Sequence, residues 1–344
     1  PRLAGLVCAS PFDAALHDAF GKVNGIGTYD GYGPDWLDHD LGRELGPTFE
    51  GRYPADFVAP TYAPTVPVFH LVGGLDKLTR QELDSNDPDD GHPVSLDDWI
   101  ERDGLFCLKV KLVGNDLAWD FERIARVTAI ADETLRRHGR SELYLSLDTN
   151  EQCESPAYMV ELLERVRLEQ PRAFASTLYV EQPTERDLTA HRHDMRRLAA
   201  LKPVLIDESL TDLDSLDLAL DLGWSGIALK TCKGQSHSLL FLARAAEAGI
   251  PYSVQDLTNP SLALIQSIGF AARINTIKGV EANSRQFFPA SSRTERRVHP
   301  GLFSVRDGVV RTSSLQSDGL GYQMERIQNE YRTGRNVEDR QAGV

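Results

Sequence analysis

Eight short apolar runs recur along this chain, and seven of them end in a charged residue. The runs occupy 66–71, 106–111, 143–148, 177–181, 203–207, 226–230, 251–256 and 275–281. Continuous apolar runs of this length suit strands buried on both faces. The spacers read as helices: 116–138 and 157–169 carry apolar residues at three- and four-residue intervals. Gly223 and Gly249 each stand just before a run, where a helix-to-strand turn wants glycine. Ser236, His237 and Ser238 stand where a cap is expected for the helix running to Ala248. Eight strand-then-helix units predict an α/β fold, a parallel (β/α)8 TIM barrel over residues 66–290. A doubly wound open sheet is the alternative. It needs fewer strands and usually a glycine-rich phosphate loop, and neither GxGxxG nor GxxxxGK with a following Ser or Thr occurs.

The 344 residues exceed one barrel, so extra parts are expected at both ends. Residues 1–65 do not join the rhythm. Within them, 12–21 reads as a helix with Ala14, Ala15, Ala19 and Phe20 as its apolar side, and 25–64 reads as loop with short helix. Residues 84–90 form an acidic, solvated loop, and the tail, 291–344, is expected to pack back over the first segment. With 37 Lys and Arg against 51 Asp and Glu, the net charge of −14 argues against nucleic acid or an anionic membrane as partner. No run is long and apolar enough for a membrane helix, and no leader pattern opens the chain. Cys8, Cys107, Cys153 and Cys232 lack zinc-site spacing, and a reducing cytoplasm is the simpler expectation.

Active-site side chains of a barrel come from the C-terminal ends of its strands. Here those ends carry Lys109 and Lys111, then Asp148, Glu181, Asp207 with Glu208, Lys230, Asp256 and Glu281, at intervals of 23 to 37 residues counted from Lys111. Asp148, Glu181 and Asp207 end three successive strands and would project side by side over one mouth. Three carboxylates without His or Cys are hard oxygen ligands, suited to Mg²⁺ or Mn²⁺. Lys109 and Lys111 alternate with Val110 and so face one side, and Lys230 lies four strands further on, across the mouth. Two lysines on opposite faces of a substrate can remove and return a proton. Lys233, three residues past the sixth run, is an alternative to Lys230.

In this order Leu108-Lys109-Val110-Lys111, Asp148-Thr149-Asn150, Glu181-Gln182-Pro183, Asp207-Glu208-Ser209 and Leu229-Lys230 resemble the enolase superfamily, in its muconate-lactonizing-enzyme subgroup. The resemblance spans about residues 12–325. It implies an enolase-like C-terminal barrel joined to an α+β capping domain, of which 1–65 would hold a remnant. It implies a divalent metal on Asp148, Glu181 and Asp207, and a small carboxylate substrate that loses its α-proton to give an enediolate. Lys111 and Lys230 would be the acid–base pair with Lys109 assisting. Glu208 would hold Lys230, and Asn150, Asp256, Glu281 and Asn283 would stand behind the metal or against the substrate. Racemisation or epimerisation and cycloisomerisation are favoured. An acid-sugar-type dehydratase, a non-catalytic carboxylate binder, and Schiff-base chemistry on Lys230 remain as alternatives.

The sequence departs from the family pattern in three places. The three-stranded sheet of the cap is absent before residue 12. Strand seven ends Gln255-Asp256-Leu257-Thr258. Strand eight ends Glu281-Ala282-Asn283, where dipeptide epimerases usually show Asp-x-Asp. Tyr29, Tyr32 and Trp36 would form either a lid or a structural cover. His191-Arg192-His193 reads as a surface helix start. Arg293, Arg296 and Arg297 read as a basic patch paired with the acidic surface. A homo-oligomer is compatible with the resemblance.

Overall fold

The computed structural model describes residues 2–341. Eight parallel strands close into a barrel: β1 (Thr65–Val72), β2 (Cys107–Lys111), β3 (Tyr144–Asp148), β4 (Thr177–Glu181), β5 (Val204–Ile206), β6 (Gly226–Leu229), β7 (Tyr252–Val254) and β8 (Val280–Glu281). They pair in chain order, and β1 pairs with both β2 and β8 to complete the ring. The apolar alternates explain the double burial. Leu108 and Val110 of β2 are fully buried on the helix side, while Phe69 and Tyr179 meet at 6.2 Å between ring centroids.

Helices separate the strands. Besides a single turn at Gly42–Leu45, they are α1 (Arg2–Asn24), α2 (Leu96–Asp103), α3 (Leu117–Arg137), α4 (Pro156–Glu169), α5 (Pro171–Ser176), α6 (Arg196–Ala199), α7 (Leu213–Asp221), α8 (Gln235–Glu247), α9 (Ser261–Ala271), α10 (Ser284–Phe287), α11 (Arg293–Val298) and α12 (Met324–Gln341). Asp116 starts α3 as expected of a cap, its Oδ1 accepting from the amides of Ala118 and Trp119. Gly223 sits at φ 86°, the left-handed conformation that lets the chain leave α7 for β6.

The structure corrects several sequence expectations. The last run is strand only at Val280–Glu281. At Gly279 a Cβ would lie 2.2 Å from the Pro67 carbonyl oxygen, so the chain enters the barrel there by close backbone contact. A ninth strand, β9 (Val309–Arg311), was not anticipated; it pairs antiparallel with the start of β1. The first helix is longer than expected, and its docked side is different: Ser10, Ala14, Asp18 and Gly21 are buried, while Ala15, Ala19, Phe12 and Leu16 face outward. The α8 cap is Gly234, not Ser236. Its free amides are taken by α1: Asp13 Oδ2 accepts from Gln235 N at 2.5 Å and Ser236 N at 3.1 Å. A helix start therefore holds a carboxylate from another part of the chain, where the helix dipole favours it.

Tyr29 and Tyr32 are buried, and both hydroxyls accept from Gln235 Nε2, so they tie the first segment to α8 as a structural cover. The tail meets the same segment: Leu320 N donates to Asp18 Oδ1, and Gly27 bridges Gly319. His191 is exposed, and the helix beyond it begins only at Arg196. All four cysteines are free thiols. Among the described residues no helix is long and apolar enough to cross a membrane.

Candidate active site at the barrel mouth

Register brings the strand-end charges together. Lys111 pairs with Asp148 across β2 and β3, and Asp148 pairs with Glu181 across β3 and β4. Asp207 lies one residue beyond β5, and Lys230 one residue beyond β6. Asp148, Glu181, Asp207, Lys109 and Lys230 are all at least 95% buried, and Lys111 is about one-fifth exposed at its side chain.

Two ammonium groups organise the interior. Lys109 Nζ donates to Glu181 Oε1 at 2.7 Å and Glu281 Oε1 at 2.9 Å, and stands 3.1 Å from Asp148 Oδ2. Lys230 Nζ donates to Asp207 Oδ2 at 2.6 Å. Asp207, not Glu208, therefore holds Lys230. Glu208 Oε2 is buried and lacks a hydrogen-bond partner among the described residues. Lys111 Nζ donates to Asp148 Oδ2 at 2.5 Å and to Asn150 Oδ1 at 2.7 Å. Lys233 Nζ donates to the carbonyls of Asp207 and Leu210 and to Asp207 Oδ1, and burial lowers its pKa from the ordinary lysine range.

The titration directions follow from burial and these partners. Burial works against the Lys109 and Lys230 ammonium groups, but the carboxylates around them prevail and lift both above the ordinary lysine range. The Asp207 carboxylate thus favours the ammonium form of Lys230. Burial also opposes charge on Asp148 and Asp207, yet their lysine partners hold both below the usual carboxylate range. Glu181 goes the other way, raised by burial and by Asp148, Glu281 and Asp207 despite Lys109. Burial and Asp207 push Glu208 up to about 7, and burial and Glu281 push Asp256 up to about 6.

Asp256 and Asn283 complete the rim. Asp256 accepts from Asn283 N at 3.1 Å and Asn283 Nδ2 at 3.2 Å, and the same amide group is 3.4 Å from Glu281 Oε2. Two further residues were not singled out from the sequence. Gln255 Nε2 donates to Glu181 Oε2 at 2.6 Å. Leu229 pairs with Val254, which puts Gln255 level with Lys230; period-two alternation along β7 was the available signal. Gln182 clamps two strand ends: its Oε1 accepts from Asp207 N at 2.9 Å and its Nε2 donates to Ser209 Oγ at 2.8 Å. Gln182, Asn150 and Thr258 all have positive φ. Such conformations are costly for non-glycine residues and gather where a site demands them.

The donor chemistry at this mouth fits a hard divalent cation. Asp148, Glu181, Asp207, Glu208, Asp256 and Glu281 face Lys109, Lys111, Lys230 and Lys233, an excess of two negative charges when all are ionised. Asp148, Glu181 and Asp207 offer the three oxygen donors, and Glu208 an unpartnered one behind them. In this conformation ammonium groups stand between the carboxylates. Among the described residues no three acidic, His or Cys side chains converge as a ready metal cage. A cation would have to displace ammonium contacts to reach them.

Known proteins place this architecture. The family model for enolase C-terminal domain-like proteins matches residues 94–328. The search of curated proteins returned no match. Among solved structures the chain is similar to the muconate lactonizing enzyme of Klebsiella pneumoniae, at 21% identity and TM-score 0.54, over 90% of this chain and 69% of that one. It is similar to the dipeptide epimerase of Enterococcus faecalis V583, at 16% identity and TM-score 0.58, over 90% and 72%. The L-Ala-D/L-Glu epimerase of Bacillus subtilis follows, at 19% identity and TM-score 0.53, over 78% of this chain and 61% of that one. At these identities the likeness is one of fold.

Proposed function

This chain belongs to the enolase C-terminal domain-like family, and from that premise we propose that it is an isomerase that abstracts the proton α to the carboxylate of a small-molecule substrate. The observation that carries the reading is the opposition of Lys111 and Lys230. They project from the ends of β2 and β6, four strands apart in an eight-strand ring, with Asp148, Glu181 and Asp207 on the three strands between. A substrate lying over those carboxylates presents one face to each lysine.

Asp148, Glu181 and Asp207 would hold a divalent cation, Mg²⁺ or Mn²⁺. When bound, it would supply positive charge to the substrate carboxylate and so acidify the α-carbon. The chain's own groups do the rest. Lys111, at the open rim, takes the α-proton. Lys230 stands on the other face as an ammonium, stabilises the enolate by charge, and delivers a proton to carbon when the product is the epimer. Lys109 stays inside and keeps Glu181 and Glu281 from repelling one another.

The bond between Lys230 and Asp207 favours a second outcome within the same chemistry. A firmly protonated Lys230 suits a one-base cycloisomerisation, in which it only stabilises charge. It also disfavours Schiff-base chemistry, which needs a neutral amine.

Proton NMR in D2O with Mg²⁺ tests the proposal, on a panel of dipeptides, N-acylamino acids, sugar acids and muconate-like acids. Loss of an α-proton signal that requires metal and is abolished by Lys111→Ala supports it. Retained exchange in Lys230→Ala selects the one-base course. No exchange of any compound supports the carboxylate-binding alternative if the same compounds bind saturably.

A further inference from the structure

We propose that a cleft on the flank of the barrel, away from the mouth, binds a phosphate-class oxyanion. The cleft has a volume of about 320 Å³ and is lined by Arg102, Arg285, Arg296, Arg306 and His92, with Asp103 as its one carboxylate. None of the strand-end residues of the mouth lines it. It lies between α2, α10 and α11, and residues 303–306 form one wall. In a chain of net charge −14, four guanidinium groups around one carboxylate leave a local excess of three positive charges.

Two of the arginines are fixed in place. Arg102 donates from Nε to Asp103 Oδ1 at 2.8 Å and from Nη2 to Oδ2 at 3.1 Å, and Arg285 donates to the same carboxylate. Both guanidinium carbons lie over the Trp99 ring, at 4.4 and 4.9 Å from its centroid. The side chain of Arg285 is 9% exposed. Arg296 and Arg306 make no ion pair among the described residues, which corrects the expectation that Arg296 is neutralised by the acidic surface.

The lining is not fully paired within the fold: Arg285 Nε, Arg296 Nε and His92 Nδ1 are buried with no hydrogen-bond partner among the described residues. The guanidinium groups of Arg296 and Arg306 line the cleft without a carboxylate partner among the described residues, so an oxyanion there meets charge that the fold leaves uncompensated. A planar carboxylate engages one guanidinium fork. A tetrahedral oxyanion presents oxygens toward several sides and matches arginines arriving from three helices and the 303–306 wall. A second cleft of about 410 Å³ shares Arg102 and Arg306 with the first and adds Arg140 and His138, with Glu101 and Asp307 as its carboxylates. That gives room for an organic part beyond the phosphate.

Isothermal titration of the whole chain with inorganic phosphate and with glycerol phosphate, at constant ionic strength set by NaCl, decides the matter. The expected result is saturable binding at one site, weakened at least tenfold in Arg296→Gln/Arg306→Gln, with α-proton exchange at the mouth unchanged. If the double variant does not fold, the exposed Arg306→Gln alone is expected to weaken binding several-fold. Tighter binding of glycerol phosphate assigns an organic phosphate as ligand, and equal binding assigns free phosphate. Absence of saturable heat with either anion, or equal heat in wild type and variant, overturns the proposal.

Discussion

Lys230 Nζ and Asp207 Oδ2 stand 2.6 Å apart, both at least 95% buried, and each fixes the charge of the other. Asp207→Asn removes the carboxylate but leaves Lys230 buried, so desolvation then dominates and the lysine pKa falls. In the variant the Lys230 Nζ signal, followed by ¹⁵N NMR up to about pH 10, is expected to titrate below the ordinary lysine range. In the wild-type chain without metal it stays in its ammonium position over the same range.

Lys109 neutralises Glu181 and Glu281 in a site with no water access to speak of, at 3% exposure. Lys109→Met keeps the volume and leaves both carboxylates without their ammonium counter-charge, with only the Gln255 and Asn283 amides beside them. Breaking a buried ion pair from one side costs about 3–5 kcal/mol. Urea denaturation is expected to show a loss of that order, and a loss below about 1 kcal/mol would mean the carboxylates find other partners.

Gln182 holds the end of β5 through Asp207 N and Ser209 Oγ. Gln182→Ala leaves Asp207 N and Ser209 Oγ short of partners, at a cost of about 1–3 kcal/mol for the unsatisfied groups. Because Asp207 then loses its anchored position, metal affinity and exchange are expected to fall together. Gln182→Glu, which keeps one acceptor, is expected to recover part of the stability.

His70 sets a pH limit on the flank. It is buried, receives Arg285 Nη2 at Nδ1 at 2.8 Å, and has its pKa pushed well below the ordinary histidine range by burial, Arg285 and Arg102. The folded chain therefore keeps His70 neutral where the unfolded chain protonates it. The resulting stability is present above about pH 6.5, the ordinary histidine pKa, and is lost as pH falls below it. Melting temperature measured from pH 7.5 to 5 is expected to decline, and less steeply in His70→Asn.

Chelation tests the cation reading directly. EDTA is expected to abolish α-proton exchange and Mg²⁺ to restore it. Asp148→Asn and Glu181→Gln should each raise the Mg²⁺ concentration needed by tenfold or more. Exchange at full rate in EDTA would contradict the assignment of these carboxylates.

Much of this was legible in the order of residues. A buried strand must be apolar, so a charge at its end stands out, and Lys111, Asp148, Glu181, Asp207 and Lys230 could be set around one ring. The partners of those charges were not legible. Asp207 and Glu208 are neighbours in sequence, and only the strand's pleat decides which of them meets Lys230. The docked side of α1 was misread because it packs through Asp13, His17 and Asp18, and polar contacts leave no apolar stripe. Arg285 and Asp103 are 182 residues apart and joined by geometry that no local pattern announces. The left-handed backbone at Gln182 lies equally beyond propensity, because tertiary contacts impose it.

The ring of strands is unevenly sewn. β2 and β3 pair at five positions, whereas β8 meets β1 at two and β7 at one. Closing that seam joins Phe69 to Glu281 across more than two hundred residues, and such long-range closure comes late in folding. Native-state opening should begin at the same place, with amides of β8 exchanging before those of β2 and β3. Glu281 and Asn283 stand at that seam, so an opening there would fall at the edge of the candidate site.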